Sequence, residues 1–305
     1  MNNRNEKNLN IITAEDGGFA YSFSVISILL CSIIYSTVLS VIASKDLTVF
    51  SSDIVIILNY ILSPIAILLA IGILRYKSKK NYIKLTLSKN FSAKPLIASL
   101  LIGFGLMFGL SKLNELFVGL LGGLGLEVSS PTLPSNTPLN VILVIISVCV
   151  LPAVFEEFLF RGLILKSLSK TGILFATLIS GALFCIFHMS PAQTVYQFVV
   201  GCIYSLIIIY GGNLLYTVII HFINNLYVVL NYYYFNIVLV GTADVIMTIA
   251  GILSLFIGLV ILLNGRKALG ISQDEKRANR INFLLGAVMG VLASLAIWIQ
   301  GLING

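Results

Sequence analysis

LNVILVIISVCVLPAVFEEFLF, Leu139 to Phe160, is the stretch on which the reading of this chain turns. Its first 17 residues carry no charge, and two adjacent glutamates, Glu156 and Glu157, follow, with Arg161 just beyond. Hydrocarbon about 30 Å thick is crossed by roughly 20 apolar residues in a helix, so the run predicts a membrane span. Ionisable groups at the end of such a run are expensive in lipid and mark a place where chemistry is expected. Pro152, four residues before Glu156, predicts a kink where those side chains must be aimed.

Outward from that run the pattern repeats. Of 305 residues 58% are hydrophobic and only 10% charged, with a mean hydropathy of +1.02. Soluble domains carry roughly a quarter charged residues, and a chain this apolar needs lipid as its solvent. Soluble enzymes and nucleic-acid binders are excluded. The expected fold is all-α, a polytopic transmembrane helix bundle of about nine spans. They run Ala20–Ala43, Ile54–Leu74, Leu96–Leu121, Leu139–Phe160, Ile173–His188, Ala192–Tyr210, Leu214–Tyr234, Val245–Leu263 and Ile281–Ile303. The third is expected inside the bundle, with Gly105 and Gly109 at a spacing that lets backbones approach and with Lys112 and Glu115 as a self-satisfied buried pair.

Charge sets the orientation. The linker Arg75 to Lys94 holds Arg75, Lys77, Lys79, Lys80, Lys84, Lys89 and Lys94 and no acid, which places it in the cytoplasm. Alternation then puts Arg161, Lys166, Lys170 and the Arg266 to Arg280 cluster on the same side, with the N terminus cytoplasmic and the C terminus outside. The loops near Lys45, Glu127 and Asp244 are poor in bases, as outward loops should be. The net charge of +7 is accordingly a topology signal, and the chain is expected as a multi-pass protein of the cell membrane. Cys31, Cys149, Cys185 and Cys202 lie in apolar runs without CxxC spacing, indicating neither a disulfide framework nor a cysteine metal site. Three regions are expected: residues 1–137 as a tail with three spans, 138–235 as the core, and 236–305 as two further spans.

The chemistry concentrates in the core. The chain has two histidines, His188 and His221, and both fall at or within apolar spans. Glu157 and Arg161 are four apart and predict an ion pair on one helix face, whereas Glu156 lies about 100° round the helix and points elsewhere. Nothing strongly breaks the helix before Thr171 and Gly172, so Glu156 and His188 are expected level, about 24 Å from that turn. His221 and Asn225 share a face, as do Phe184 and His188. An acid, two histidines and an amide can polarise water and hold an oxyanion, the requirement for amide hydrolysis without a covalent nucleophile.

The strings EEFLFR (Glu156–Arg161), FCIFH (Phe184–His188) and HFINN (His221–Asn225) resemble, in order and approximate spacing, the EExxxR, FxxxH and HxxxN motifs of the CPBP (Abi) family of CAAX-processing and bacteriocin-processing intramembrane proteases. The resemblance implies that Glu156 activates the attacking water with His188 helping, that His221 and Asn225 stabilise the oxyanion, and that Glu157 and Arg161 support the site. It implies a peptide or protein substrate, prenylated or not, met at the membrane lipid, with no nucleic acid involved. No cofactor is expected. The rival reading is zinc, since Glu156, His188 and His221 also satisfy a two-histidine, one-carboxylate set, though without HExxH or an obvious second base. A noncatalytic immunity or scaffold protein using the same cavity stands as the alternative function, and a small-molecule transporter is a third.

Overall fold

The computed structural model describes residues 11–44, 51–86, 91–126, 132–264 and 273–303. The loop residues Lys45, Lys89, Glu127, Arg266 and Lys267, which entered the topology reading, lie outside them.

The described residues form helices and no strand. In chain order these are α1 Ala14–Ser44, α2 Ser52–Ser78, the short α3 Tyr82–Thr86, α4 Ala93–Gly109, α5 Ser111–Gly123 and α6 Pro138–Ser167. They continue with α7 Ile173–Phe187, α8 Thr194–Gly211, α9 Leu215–Phe235, α10 Gly241–Leu263 and α11 Gln273–Ile303. Eight segments among the described residues are long and apolar enough to cross a membrane, counting α4 with α5 as one. The chain is an integral membrane protein, an all-α polytopic bundle. Leu30, Ile33 and Ile34 of α1 are more than half exposed, as expected of faces whose solvent is lipid.

Two runs depart from expectation. The fifth is a helix of 15 residues, about 22 Å at 1.5 Å per residue, too short to cross hydrocarbon about 30 Å thick. The third is two helices, because Leu110 adopts φ −114° and ψ −4° and turns α5 away from the line of α4. That bend also corrects the expected burial of Lys112 and Glu115. Their side chains are 38% and 62% exposed, 2.8 Å apart, and Lys112 also lies 3.3 Å from Asp244 at the start of α10.

Small residues set the closest packing. A Cβ added to Gly109 of α4 would stand 2.8 Å from the Ile252 nitrogen of α10, and one on Gly258 would stand 2.8 Å from the Ala98 carbonyl. The expected close approach at Gly105 and Gly109 is therefore made against α10. α1 and α11 are joined by Ser22, whose hydroxyl donates to the Gly286 carbonyl (2.7 Å) and accepts from the Gly290 N–H (3.0 Å). α7 meets α8 at Gly181 and Gly201, where a Cβ on Gly201 would stand 2.7 Å from the Gly181 Cα.

The bundle has two chemically distinct ends. At one, Lys80 pairs with Asp16, Lys166 donates to the Leu85 carbonyl and Arg280 donates to the Thr171 carbonyl at 2.8 and 3.0 Å. This basic end gathers the N termini of α1, α7 and α11 with the C termini of α2 and α6. At the other, Asp53 accepts from the Ser135 N–H and from Asn140, each at 2.9 Å, and Tyr233 donates to the Pro134 carbonyl at 2.9 Å.

Candidate active site

α6 is not a uniform helix. Leu151–Glu157 is α-helical, and it is flanked by two wide π-helical stretches, Ile145–Val150 and Phe158–Ile164. Such wide turns re-aim side chains and recur at functional sites. Pro152 contributes directly, because it has no N–H to give to the carbonyl four residues earlier, that of Val148. The Asn225 side-chain Nδ2 of α9 donates to that carbonyl instead, at 2.9 Å. A backbone acceptor released by proline is thus satisfied from the neighbouring helix, as a polar group at membrane depth must be.

The helix does run on past Arg161 to Ser167, and it carries a fully buried hub. Arg161 Nη1 donates to Glu157 Oε1 at 2.9 Å, and neither side chain has any exposure. His221 Nδ1 donates to the same Oε1 at 3.0 Å. The guanidinium carbon stands 4.3 Å from the Phe184 ring and 5.1 Å from that of Tyr204, and Nη2 points to the Gly201 carbonyl at 3.4 Å. The spacing-based ion pair is present, with a third member that the spacing did not contain.

Glu156 faces another way, towards His188. The His188 Nε2 and Glu156 Oε2 atoms are 3.9 Å apart, too far for a direct hydrogen bond and close enough for both to bond one small molecule between them. Glu156 Oε2 is buried with no hydrogen-bond partner in the protein. His188 Nδ1 lies 2.8 Å from the Phe184 carbonyl. A carbonyl only accepts, so Nδ1 carries the hydrogen and Nε2 of the neutral ring presents its lone pair to Glu156.

His188 ends α7, and the chain turns sharply there, with Met189 at φ 50°. The turn is held from two sides. Asn114 of α5 donates to the Ala192 carbonyl (2.8 Å) and accepts from the Tyr196 N–H (3.3 Å), and Trp298 of α11 donates to Thr194 Oγ1 (2.8 Å). Tyr196 in turn donates to Asn224 Oδ1 at 2.9 Å, and Asn224 donates to Asn225 Oδ1 at 3.2 Å. Asn225 therefore sits in a chain of hydrogen bonds from the His188 turn to the Val148 carbonyl.

The six sequence-predicted residues thus fall into three contacts: Glu156 with His188, Glu157 with Arg161 and His221, and Asn225 with the α6 backbone. Asn224, between His221 and Asn225 in the HFINN string, is a further link in the chain. Tyr196, Tyr204 and Asn114 were missed, and nothing in their spacing could have found them. Their roles arise from the packing of α5 against α8 and of α8 against α9. No three His, Cys, Asp or Glu side chains among the described residues stand close enough to hold an ion, and His221 turns its Nδ1 to Glu157.

Residues 138–227 match the family model described as type II CAAX prenyl endopeptidase Rce1-like. No curated protein and no solved structure matches the chain.

Proposed function

Residues 138–227 belong to the CAAX protease (CPBP) family, and from that premise we propose that the chain is an intramembrane endopeptidase that hydrolyses a peptide bond with a water held between Glu156 and His188. The observation that carries this reading is the 3.9 Å gap between Glu156 Oε2 and His188 Nε2, with the carboxylate oxygen buried and unpartnered.

The charge count of the site supports it. Arg161 offsets one of the two carboxylates, and a low-dielectric interior favours a neutral cluster. One further proton, shared among Glu156, His188 and His221, makes it so. Water bound between Glu156 and His188 passes a proton to that pair as its oxygen attacks the carbonyl carbon. The carbonyl oxygen, now negative, accepts from His221 Nε2–H and from the second Nδ2 hydrogen of Asn225. His221 can carry hydrogens on both ring nitrogens because its Nδ1–H is already received by Glu157. When the C–N bond breaks, the proton held by the Glu156 and His188 pair moves to the leaving nitrogen. The products are a carboxylic acid and an amine, with one water consumed.

We read the basic end as cytoplasmic by the positive-inside rule, and on that reading the chain sits in the cell membrane and the site is reached from the cytoplasm. A peptide or protein is the substrate, and the prenyl-cysteine chemistry of the family is the first to try. The deciding experiment is cleavage of quenched peptides, with and without a C-terminal prenyl-cysteine motif, by wild type, Glu156→Gln and His188→Ala matched for thermal unfolding. Loss of cleavage in both variants supports the proposal. Full cleavage by either overturns it, and biological activity that survives Glu156→Gln favours a noncatalytic, peptide-binding protein.

A further inference from the structure

A cavity of about 280 Å³ opens at the basic end between α6, α7 and α8, and the proposed reaction makes no use of it. Two sources of positive potential and one unmet buried donor meet in its wall. Lys166 stands at the exposed side. Arg161 lines it from within, its charge met by Glu157, and keeps a buried Nε that has no hydrogen-bond partner. The second source is the start of α7, where Gly172 takes φ 92° and provides no side-chain cap.

The first N–H to bond back into α7 is that of Ala176, to the Gly172 carbonyl at 3.0 Å. The N–H groups of Ile173, Leu174 and Phe175 precede it and have no carbonyl within the helix to meet. A helix start with free N–H groups attracts anions. No acidic residue is among those that line the cavity. Further positive charge stands close by, since Arg280 is bonded to the Thr171 carbonyl and Lys276 reaches within about 4 Å of where a Gly172 side chain would begin. The rest of the wall is apolar, with Leu168, Ile208 and Ile209.

A cationic mouth on an apolar wall, at the end of the bundle where lipid headgroups lie, fits a ligand with an anionic head and a hydrocarbon stem. We propose that this cavity binds the phosphate of an anionic membrane lipid, with the phosphate against Lys166 and the start of α7 and the first part of an acyl chain along Leu168, Ile208 and Ile209. The apolar wall favours a lipid phosphate over free phosphate, which has no stem to bury. The site stands apart from the proteolytic reading, because nothing in it requires turnover.

The test uses the full chain in detergent and reads the thermal unfolding midpoint, because a ligand that binds only the folded protein raises it. Dioleoyl phosphatidylglycerol, dioleoyl phosphatidylcholine and inorganic phosphate are titrated against wild type, Lys166→Gln and Ile209→Trp. The first variant removes the cation at the mouth and the second fills the cavity without touching charge. Phosphatidylglycerol should raise the wild-type midpoint by several degrees, the other two additives should not, and both variants should lose most of the rise. An equal rise with phosphatidylcholine, an equal rise with inorganic phosphate, or an undiminished rise in Ile209→Trp would each overturn the proposal. If Lys166→Gln does not fold, Ile209→Trp alone decides.

Discussion

Glu156 and Glu157 are neighbours in sequence with opposite dependences. Glu157 shares Oε1 with Arg161 and His221 inside a fully buried hub, so its charge is part of the fold. Replacing it with Gln leaves the Arg161 guanidinium buried without its counter-charge, a defect that costs about 3–5 kcal/mol in buried pairs. Glu157→Gln should therefore lower the unfolding midpoint sharply, and a calorimetric or dye-based melt checks it. Glu156→Gln changes no hydrogen bond within the protein, so its melt should match wild type while kcat falls by about 10²–10⁴-fold, the usual contribution of a general base. The division between the two glutamates was legible in the sequence, because spacing of four put Glu157 with Arg161 and turned Glu156 away. That His221 joins Glu157 was not, since it depends on α9 lying antiparallel along α6, and a tertiary register of that kind leaves no trace in either helix's own periodicity.

At the scale of the element, α6 and α9 are coupled through a missing hydrogen. Pro152 leaves the Val148 carbonyl free and Asn225 takes it. Pro152→Ala supplies an N–H that competes for that carbonyl and lets the wide turn tighten into regular helix. The variant should fold at least as stably as wild type and yet be slower, since 1 Å of misplacement in a site costs on the order of 10²-fold. Parallel melts and kcat measurements separate the two effects, and equal loss of stability and activity would argue against the coupling. Met189 offers a second test. Its φ of 50° is a conformation that costs an L-residue roughly 1–2 kcal/mol and glycine almost nothing. Met189→Gly should leave the unfolding midpoint unchanged or higher despite the lost side chain. The sequence showed each apolar run, including the one that becomes α7. It could not show that α7 stops short and α5 bends, because both follow from single residues, His188 with Met189 and Leu110, whose backbone angles are set by what packs around them.

The whole molecule is polarised, with Lys80, Lys166 and Arg280 at one end and Asp53 and Asp244 towards the other. Cysteines placed at Ser169 and at Ser135 should be labelled by a membrane-impermeant thiol reagent from opposite sides in intact cells, Ser169→Cys only after the cytoplasm is opened. Labelling of Ser169→Cys from outside, with Ser135→Cys labelled only after the cytoplasm is opened, would reverse the orientation. The same end-to-end difference bears on a hazard peculiar to hydrolysis inside a membrane. Water must reach Glu156, and a wet channel running from face to face would let protons run down their gradient. α7 turns back after 15 residues and the turn that follows it is held by Asn114 and Trp298, so on the proposed reading water comes to Glu156 from the basic end, and α5 and α11 make a floor beyond it. That floor is electrical insulation: a cell could carry many copies of this protein in an energised membrane without short-circuiting it.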